Sequence, residues 1–105
     1  MGLSFRKEDR GRVADGEITV SYRLWTRAQV KAGNRYETGF GTVEVEDVSV
    51  IPAGMVPKSD VRPSGCGSIE GIWALAGEHT KTRVRPDTLL HRVQFRFLRP
   101  GRKKT

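Results

Sequence analysis

The sequence predicts an α+β fold, a small β-barrel with two or three short helices in a single domain. Residues 18–25 and 89–98 alternate apolar and polar side chains, as half-buried strands do. Twelve glycines and five prolines among 105 residues indicate many turns between short elements. The length also fits one domain, because typical domains contain about 100–150 residues.

The first predicted elements are a helix and a strand. Residues 5–15 are charged, contain no proline and are followed by Gly16, which predicts a short surface helix ending at that glycine. The strand over residues 18–25 has one apolar and one polar face. Its apolar face consists of Ile18, Val20, Tyr22 and Leu24, and its polar face of Thr19, Ser21, Arg23 and Trp25.

The middle of the chain predicts two strands and a long connection. A turn at Gly33-Asn34 leads into strands over residues 35–40 and 42–51. The apolar phase slips by one residue near Glu46-Asp47, which predicts a β-bulge of the kind that bends barrels. Three prolines interrupt residues 52–63, so this part is predicted to be a connection with one helical turn at residues 59–61.

A second helix and the last strand complete the predicted fold. Ser68 is a good N-cap, and Gly77 is predicted to end the helix. The last strand covers residues 89–98, and barrel closure would remove the exposed edges of such short strands. The helix repeats Ile69, Ile72, Trp73 and Ala76 on one side, and the strand places Leu89, His91, Val93, Phe95 and Phe97 on one face.

The charge of the chain is concentrated near its C-terminus. The formal net charge is +7, and residues 79–105 hold nine Lys and Arg against one acid, which gives +8 for this quarter alone. Such a bias attracts polyanions. Residues 1–98 are predicted to form the domain, and residues 99–105 a basic, disordered tail. No segment resembles a signal peptide or a membrane span, which predicts a cytoplasmic protein with no membrane partner.

The sequence indicates no metal site and no cofactor. Cys66, His79 and His91 lack the spacing of known metal-binding motifs. Cys66 is interpreted as a free structural thiol, because nothing local marks either histidine as its base. His91 lies on the apolar face of the last strand and is interpreted as a core histidine with satisfied hydrogen bonds.

The polar face of the first strand is the predicted binding site. Thr19, Ser21 and Arg23 can donate hydrogen bonds to a phosphate, a carboxylate or a base edge, and Trp25 offers a surface for stacking. Arg92 and Arg96 are expected to extend the positive surface. The alternative is a solvated strand face on which Arg23 pairs with Glu17 or Glu37.

The same residues resemble the ASCH family, over roughly residues 3–98. The family's motif Gly-x-Lys-Thr-x-Thr-x-Arg is similar to residues 16–23, which read Gly-Glu-Ile-Thr-Val-Ser-Tyr-Arg. Three further blocks resemble the family in order and spacing: the Gly33-Asn34 turn, the helix opening at Gly67-Ser68, and Pro86-Asp87-Thr88 with the strand after it.

The resemblance implies a PUA-like barrel whose cleft binds RNA or a nucleotide-like or nucleoside-like ligand. Some members resemble hydrolases of acylated cytidine nucleosides or of RNA, which use the motif Lys as a base together with a Glu near the second helix. Here the Lys position is Ile18, and the Glu position falls near Ser64-Gly65. The loss of both groups removes general acid–base chemistry and leaves the anion-binding residues, so the sequence predicts binding without catalysis.

Two other functions stay open at this point. One is a hydrolase with a rearranged site, in which Ser21 is the nucleophile and Glu70 or Glu17 activates it. The other is a protein-interaction module, which predicts an exposed apolar patch around Trp25 or Trp73. The sequence makes no prediction of the oligomeric state.

Overall fold

The computed structural model describes residues 5–78 and 81–100, the last two of them by their backbone alone, and shows a small single-domain α+β fold. The predicted fold class is confirmed to that extent. In chain order, the elements are a 3-10 turn Lys7–Asp9, helix α1 Arg10–Ala14, strand β1 Val20–Arg23, strand β2 Arg35–Glu37, strand β3 Gly41–Pro52, 3-10 turns Ala53–Met55 and Lys58–Asp60, helix α2 Ile69–Glu78 and strand β4 Leu89–Pro100.

The strands form one antiparallel sheet in the order β1-β4-β3-β2. The two central strands contain twelve residues each and pair along their length. Within the described part of the chain, β1 and β2 are the outer strands, and the closure of the sheet into a barrel stays a prediction. No helix in residues 5–78 and 81–100 is long and apolar enough to cross a membrane.

The predicted bulge is confirmed. Val45 pairs with Phe95 and Asp47 with Gln94, so Glu46 is the extra residue on β3. A residue inserted in this way restores the apolar alternation on its far side, because side chains on a strand repeat every two residues. Val43 and Val45 before the bulge and Val48 after it therefore contact the same cluster.

The sheet buries apolar residues on both faces. We call the first face the N-terminal face, because Phe5 and Val13 of the N-terminal segment pack on it against Val93 and Phe95. We call the second the α2 face, because Ile72 and Ala76 of α2 pack there. The strand residues in the α2-face cluster are Val20, Tyr22 and Leu90. Ile18 precedes β1, donates its N–H to the carbonyl of Arg12, and packs on the N-terminal face instead of beside Val20 as predicted.

The helices follow the predictions with two corrections. The N-terminal helix is shorter than predicted, because residues 7–9 form a 3-10 turn and only Arg10–Ala14 is α-helical. The Ser68 hydroxyl accepts the N–H of Gly71 at 3.0 Å, which confirms the predicted N-cap of α2. Gly77 does not follow the end of this helix but lies within it, since the helix extends to Glu78. A Cβ at this position would come within 2.2 Å of the Thr82 carbonyl oxygen, so this close approach requires a glycine.

Strand β4 is confirmed and extends to Pro100, two residues past its predicted end at residue 98. Residue 99 pairs with Thr42 in the sheet. His79 and residues 101–105 lie outside the described residues, so the predictions about them are not tested.

Candidate functional site

Three of the predicted binding residues lie in a row on the N-terminal face. Ser21 pairs with Val93 and Arg23 with His91, and the Phe95 N–H donates to the carbonyl of Thr19 at 2.9 Å. Side chains of directly paired residues point to the same side of an antiparallel sheet. The row Thr19-Ser21-Arg23 therefore runs beside Phe95-Val93-His91.

Arg23 is held in this row by polar and aromatic contacts. Its Nε donates to the Ser21 hydroxyl at 2.7 Å, and its guanidinium lies over the Phe5 ring at 5.4 Å from the centroid. Burial lowers the pKa of Arg23 to about 10, because desolvation disfavours the charged form. The side chain is still protonated at neutral pH and presents a cation to this face.

The hydroxyl of Ser21 suits binding better than nucleophilic attack. It accepts a hydrogen bond from Arg23 and can donate its own proton to a ligand oxygen. Of the two proposed bases, the Glu17 carboxylate accepts a hydrogen bond from Arg12 Nε at 3.2 Å. Glu70 is exposed on the first turn of α2, which packs on the opposite face of the sheet.

Trp25 lies next to His91. Their ring centroids are 5.5 Å apart with an interplanar angle of 49°. His91 is only 6% exposed, and its Nδ1 has no hydrogen-bond partner in residues 5–78 and 81–100. Burial lowers the pKa of His91, which keeps the imidazole neutral at pH 7. The prediction of a buried histidine is confirmed, but within the described residues its Nδ1 lacks the predicted hydrogen bond.

Arg92 lies on the other face of the sheet. It pairs with Tyr22, and its guanidinium donates to the two oxygens of Asp60 at 2.7 and 3.2 Å. Tyr22 also donates its hydroxyl proton to Asp60, which is 5% exposed. Although burial favours the neutral acid, hydrogen bonds from Arg92 and Tyr22 lower the pKa of Asp60. The same ion pair raises the pKa of Arg92.

Arg96 lies on the α2 face as well, and it also has acidic partners. Its guanidinium is 2.9 Å from a Glu44 carboxylate oxygen and 3.6 Å from a Glu46 oxygen. The expectation that Arg92 and Arg96 extend the positive surface around Arg23 is therefore corrected. The tertiary structure divides the six predicted site residues between two faces, because alternate residues of a strand point to opposite sides.

Sequence reasoning missed two residues that organise these faces. Asp60 lies in the connection between β3 and α2, within the helical turn predicted for residues 59–61, but no local signal marked its carboxylate as buried. The position of His91 beside Arg23 depends on the register of two strands that are almost 70 residues apart in the chain. The alternation did place His91 on the face of Val93 and Phe95, and this was the available signal.

Ile18, at the Lys position of the ASCH resemblance, lies close to Gly65, near which the Glu position falls. Gly65 has a φ of +80°, and a Cβ on it would lie 2.5 Å from Ile18 Cδ1. A side chain at residue 65 would therefore need both a strained backbone and displacement of Ile18. Arg12 Nη1 donates to the Gly65 carbonyl at 3.2 Å. Ile18 and Gly65 thus lie together in the region where the resemblance implies a Lys and, near Ser64-Gly65, a Glu.

A concavity lies at the start of α2, away from the row. It has a volume of about 430 Å³ and is lined by Lys58, Val61, Gly67, Ser68, Ile69 and Glu70. The described residues contain no group of three or more His, Cys, Asp or Glu side chains placed to hold a metal ion.

The fold is similar to three solved structures. A hypothetical protein, PH0355, superposes with a TM-score of 0.68 at 19% identity, covering 90% of this chain and 95% of its own. A protein of Enterococcus faecalis described by the DUF984 family model gives 0.66 at 14% identity, covering 90% and 72%. An ASCH domain from Lactobacillus crispatus gives 0.63 at 15% identity, covering 92% and 77%.

Neither a protein-family model nor a curated protein matches the sequence. Identities of 14–19% relate the chains through their backbone arrangement alone. The agreement covers at least 90% of this chain and includes a structure described as an ASCH domain. The chain therefore has an ASCH-like fold.

Proposed function

We propose that this chain is a non-catalytic binding domain for RNA or a nucleotide-like or nucleoside-like anionic ligand, with its site on the N-terminal face. The binding residues in this proposal are Thr19, Ser21, Arg23 and Trp25. The observation that carries it is the half-buried Arg23 guanidinium, bonded to the Ser21 hydroxyl and next to the Trp25–His91 pair.

The chemistry of this face supports binding of an anion. A desolvated guanidinium gains more from an anionic ligand than a hydrated one, because water competes less for the charge. The hydroxyl of Ser21 adds a hydrogen-bond donor beside it, and Trp25 adds an aromatic surface. The formal charge of +7 favours the approach of polyanions to the whole molecule.

The absence of catalysis belongs to the same proposal. Ile18 stands at the Lys position of the ASCH resemblance and lies close to Gly65, near which the Glu position falls. Glu17 bonds Arg12, and Glu70 is on the helix that covers the other face. A Ser21 hydroxyl that already accepts a hydrogen bond from a cation is a poorer nucleophile, because the bond withdraws electron density from its oxygen.

A protein-interaction module is the second candidate, and one observation favours it. Val50 and Leu89 are 51% and 57% exposed, and both lie at the end of the N-terminal face near Trp25 and His91. An exposed apolar patch around Trp25 is the feature expected of such a module. Ser21, Arg23 and His91 place polar atoms beside this patch, and for this reason we prefer RNA or a nucleotide-like or nucleoside-like ligand, which has both polar and aromatic parts.

The closure of the sheet into a PUA-like barrel and a cytoplasmic location are further parts of this proposal. Closure requires the outer strands β1 and β2 to approach each other around the N-terminal face. The N-terminal segment and the loop after β1 both pack against that face, which is consistent with a strongly curved sheet.

The test measures the binding of a short RNA and of single nucleotides by fluorescence anisotropy, at low and at moderate salt concentration. We expect binding that weakens with salt, and an Arg23→Ala variant that binds roughly 10-fold or more weakly, because hydrogen bonds to charged groups contribute about 1.5–3 kcal/mol. Arg96→Ala is the matched control, since Arg96 is an arginine on the opposite face paired with Glu44.

Absence of binding at low salt, or equal losses in the two variants, would overturn the proposal. The hydrolase alternative is tested in parallel with N-acylated cytidines and RNA as substrates. Turnover that Ser21→Ala abolishes would establish that alternative instead.

A further inference from the structure

The end of the N-terminal face around His91 has an unusual composition. Val50 pairs with His91 across the two central strands. Leu89 precedes His91 by two residues on β4, so its side chain is on the same face. Within the described residues, the only large apolar side chains that are more than half exposed are Val50, Leu89 and Met55, so two of the three flank His91. Apolar surface therefore surrounds a buried polar side chain at this end of the sheet.

The buried polar atom has no partner in the described structure. Nδ1 of His91 is shielded from solvent and makes no hydrogen bond within residues 5–78 and 81–100. Buried polar atoms are nearly always satisfied, because an unmade hydrogen bond is expensive in a dry environment. A ligand atom that reached Nδ1 would remove this penalty, so the site favours a ligand with a polar edge.

Trp25 lies beside His91 without being part of a strand. Strand β1 ends at Arg23, and Trp25 lies two residues later in a segment with no regular structure. Its indole contacts the imidazole at 5.5 Å between centroids.

The proposed anion-binding residues lie on β1, the strand next to that of His91. Arg23 is directly opposite His91, with a Cβ separation of about 5 Å for paired residues. Ser21 follows at about 7 Å along the strand and bonds Arg23. This spacing is comparable with the distance between the base and the phosphate within one nucleotide.

We propose that His91, Trp25, Val50 and Leu89 form a base-binding subsite, and that the ligand is a single nucleotide unit. The base stacks on Trp25 between Val50 and Leu89 and hydrogen-bonds Nδ1 of His91, while its phosphate binds Ser21 and Arg23. This inference rests on the proposed function and specifies its ligand.

A nucleobase fits the subsite better than an aliphatic or purely ionic group. It has apolar faces for stacking and a polar edge for one buried atom, which is the combination that this end of the sheet offers. The imidazole is neutral at pH 7, so one of its nitrogens accepts and the other donates a hydrogen bond. The Nδ1 atom can therefore meet a donor or an acceptor of the base, according to its tautomer.

The experiment compares nucleotides with a ligand that has no base. The four nucleoside 5′-monophosphates and ribose 5-phosphate are titrated into a Trp73→Phe protein, in which Trp25 is the remaining tryptophan, and its fluorescence is followed. We expect His91→Phe to weaken nucleotide binding about tenfold and to leave ribose 5-phosphate binding unchanged. His91→Asn, which keeps a polar atom near the position of Nδ1, should restore most of the nucleotide affinity.

A second variant guards against a loss caused by misfolding. Val50→Asp changes an exposed side chain next to the subsite and should weaken nucleotide binding by repulsion of the phosphate and loss of the apolar wall. Met55→Asp changes a residue that is 70% exposed in another part of the chain, and should not affect binding. Melting curves verify that all variants are folded.

The outcomes separate this inference from the proposed function. If Arg23→Ala weakens binding but neither His91→Phe nor Val50→Asp does, the base subsite is wrong and the proposed function stands. If neither nucleotides nor short RNA bind, both are wrong. If RNA binds but the nucleoside monophosphates do not, the single-nucleotide ligand is wrong, and a loss of RNA binding in His91→Phe would then support the base-binding subsite alone.

Discussion

Arg23 and Arg92 lie on adjacent strands and one step apart in the register, yet their surroundings are opposite in kind. Arg23 is on the N-terminal face, bonded to a serine hydroxyl and packed on a phenylalanine ring, and burial lowers its pKa. Arg92 is on the α2 face, where a bidentate ion pair with Asp60 raises its pKa.

The comparison shows how one strand pair can carry a structural arginine and a candidate binding arginine. The Asp60 carboxylate neutralises Arg92 inside the fold and connects the loop before α2 to the sheet. Arg23 is largely desolvated, bonded to the Ser21 hydroxyl and packed over the Phe5 ring, and it lies opposite His91, whose Nδ1 has no hydrogen-bond partner among the described residues. We therefore expect substitutions on the α2 face to change stability and substitutions on the N-terminal face to change binding.

The largest expected effect comes from removal of the buried carboxylate. Asp60→Asn leaves the Arg92 guanidinium without its counter-ion, and breaking a buried ion pair costs about 3–5 kcal/mol. We expect a loss of about 3 kcal/mol in the free energy of unfolding, since 21% of the Arg92 side chain is still exposed. Urea denaturation measures it.

The matched control for that change is Glu44→Gln. It removes an acid from an ion pair with Arg96, whose side chain is 60% exposed. Exposed pairs contribute at most about 1 kcal/mol. Equal losses of unfolding free energy in the two variants would show that the buried Asp60–Arg92 pair stabilises the fold no more than the exposed Glu44–Arg96 pair does.

A smaller effect distinguishes neighbouring residues of β1. Tyr22→Phe removes one hydrogen bond to Asp60, and we expect a loss of about 1–2 kcal/mol in unfolding free energy with little change in ligand affinity. Ser21→Ala, on the other face, should reduce affinity for RNA or nucleotides more than it reduces stability. Denaturation and anisotropy measurements on both variants test this. A larger loss of affinity in Tyr22→Phe than in Ser21→Ala would contradict the assignment of binding to the N-terminal face.

The smallest expected effect is a difference in pH dependence. Burial lowers the pKa of His91 below 6.5, so the unfolded chain takes up this proton first, and stability falls as the pH is lowered from 6.5 through the folded value. The pKa of Asp60 is lowered below 3.8, so its contribution is present above pH 3.8 and is lost as the pH falls through the folded value.

Two variants test which residue causes the loss of stability in each pH range, in melting curves recorded from pH 8 to pH 2. His91→Asn should flatten the profile just below pH 6.5 and leave the acidic loss, whereas Asp60→Asn should do the opposite. A profile that neither substitution changes would show that other groups control the acid sensitivity.

The features that could be predicted are those with a local physical cause. The period-two alternation located β4. The slip of the alternation located the bulge at Glu46, because one inserted residue shifts by one position the set of later residues that face the core. The serine before an apolar helical repeat located the start of α2. The N-terminal helix was overestimated, because residues 5–15 offer few apolar side chains to stabilise it.

The candidate site could be predicted only in part. The spacing of Thr19, Ser21 and Arg23 was sufficient to place them in one row. The resemblance to the ASCH family pointed to Ile18 and to the neighbourhood of Ser64-Gly65, and Gly65 proves to lie close to Ile18. Asp60 and the Nδ1 of His91 depend on segments that are distant in sequence, so no short pattern could reveal them.

The sequence by itself determined the α+β class, the two long strands and the polar row on β1, because each depends on neighbours within a few residues. The tertiary structure alone decided that Arg92 and Arg96 lie away from that row, and that His91 lies beside Arg23. The physical reason is register: pairing assigns each side chain a face and a partner, and pairing between distant strands follows from the packing of the whole core.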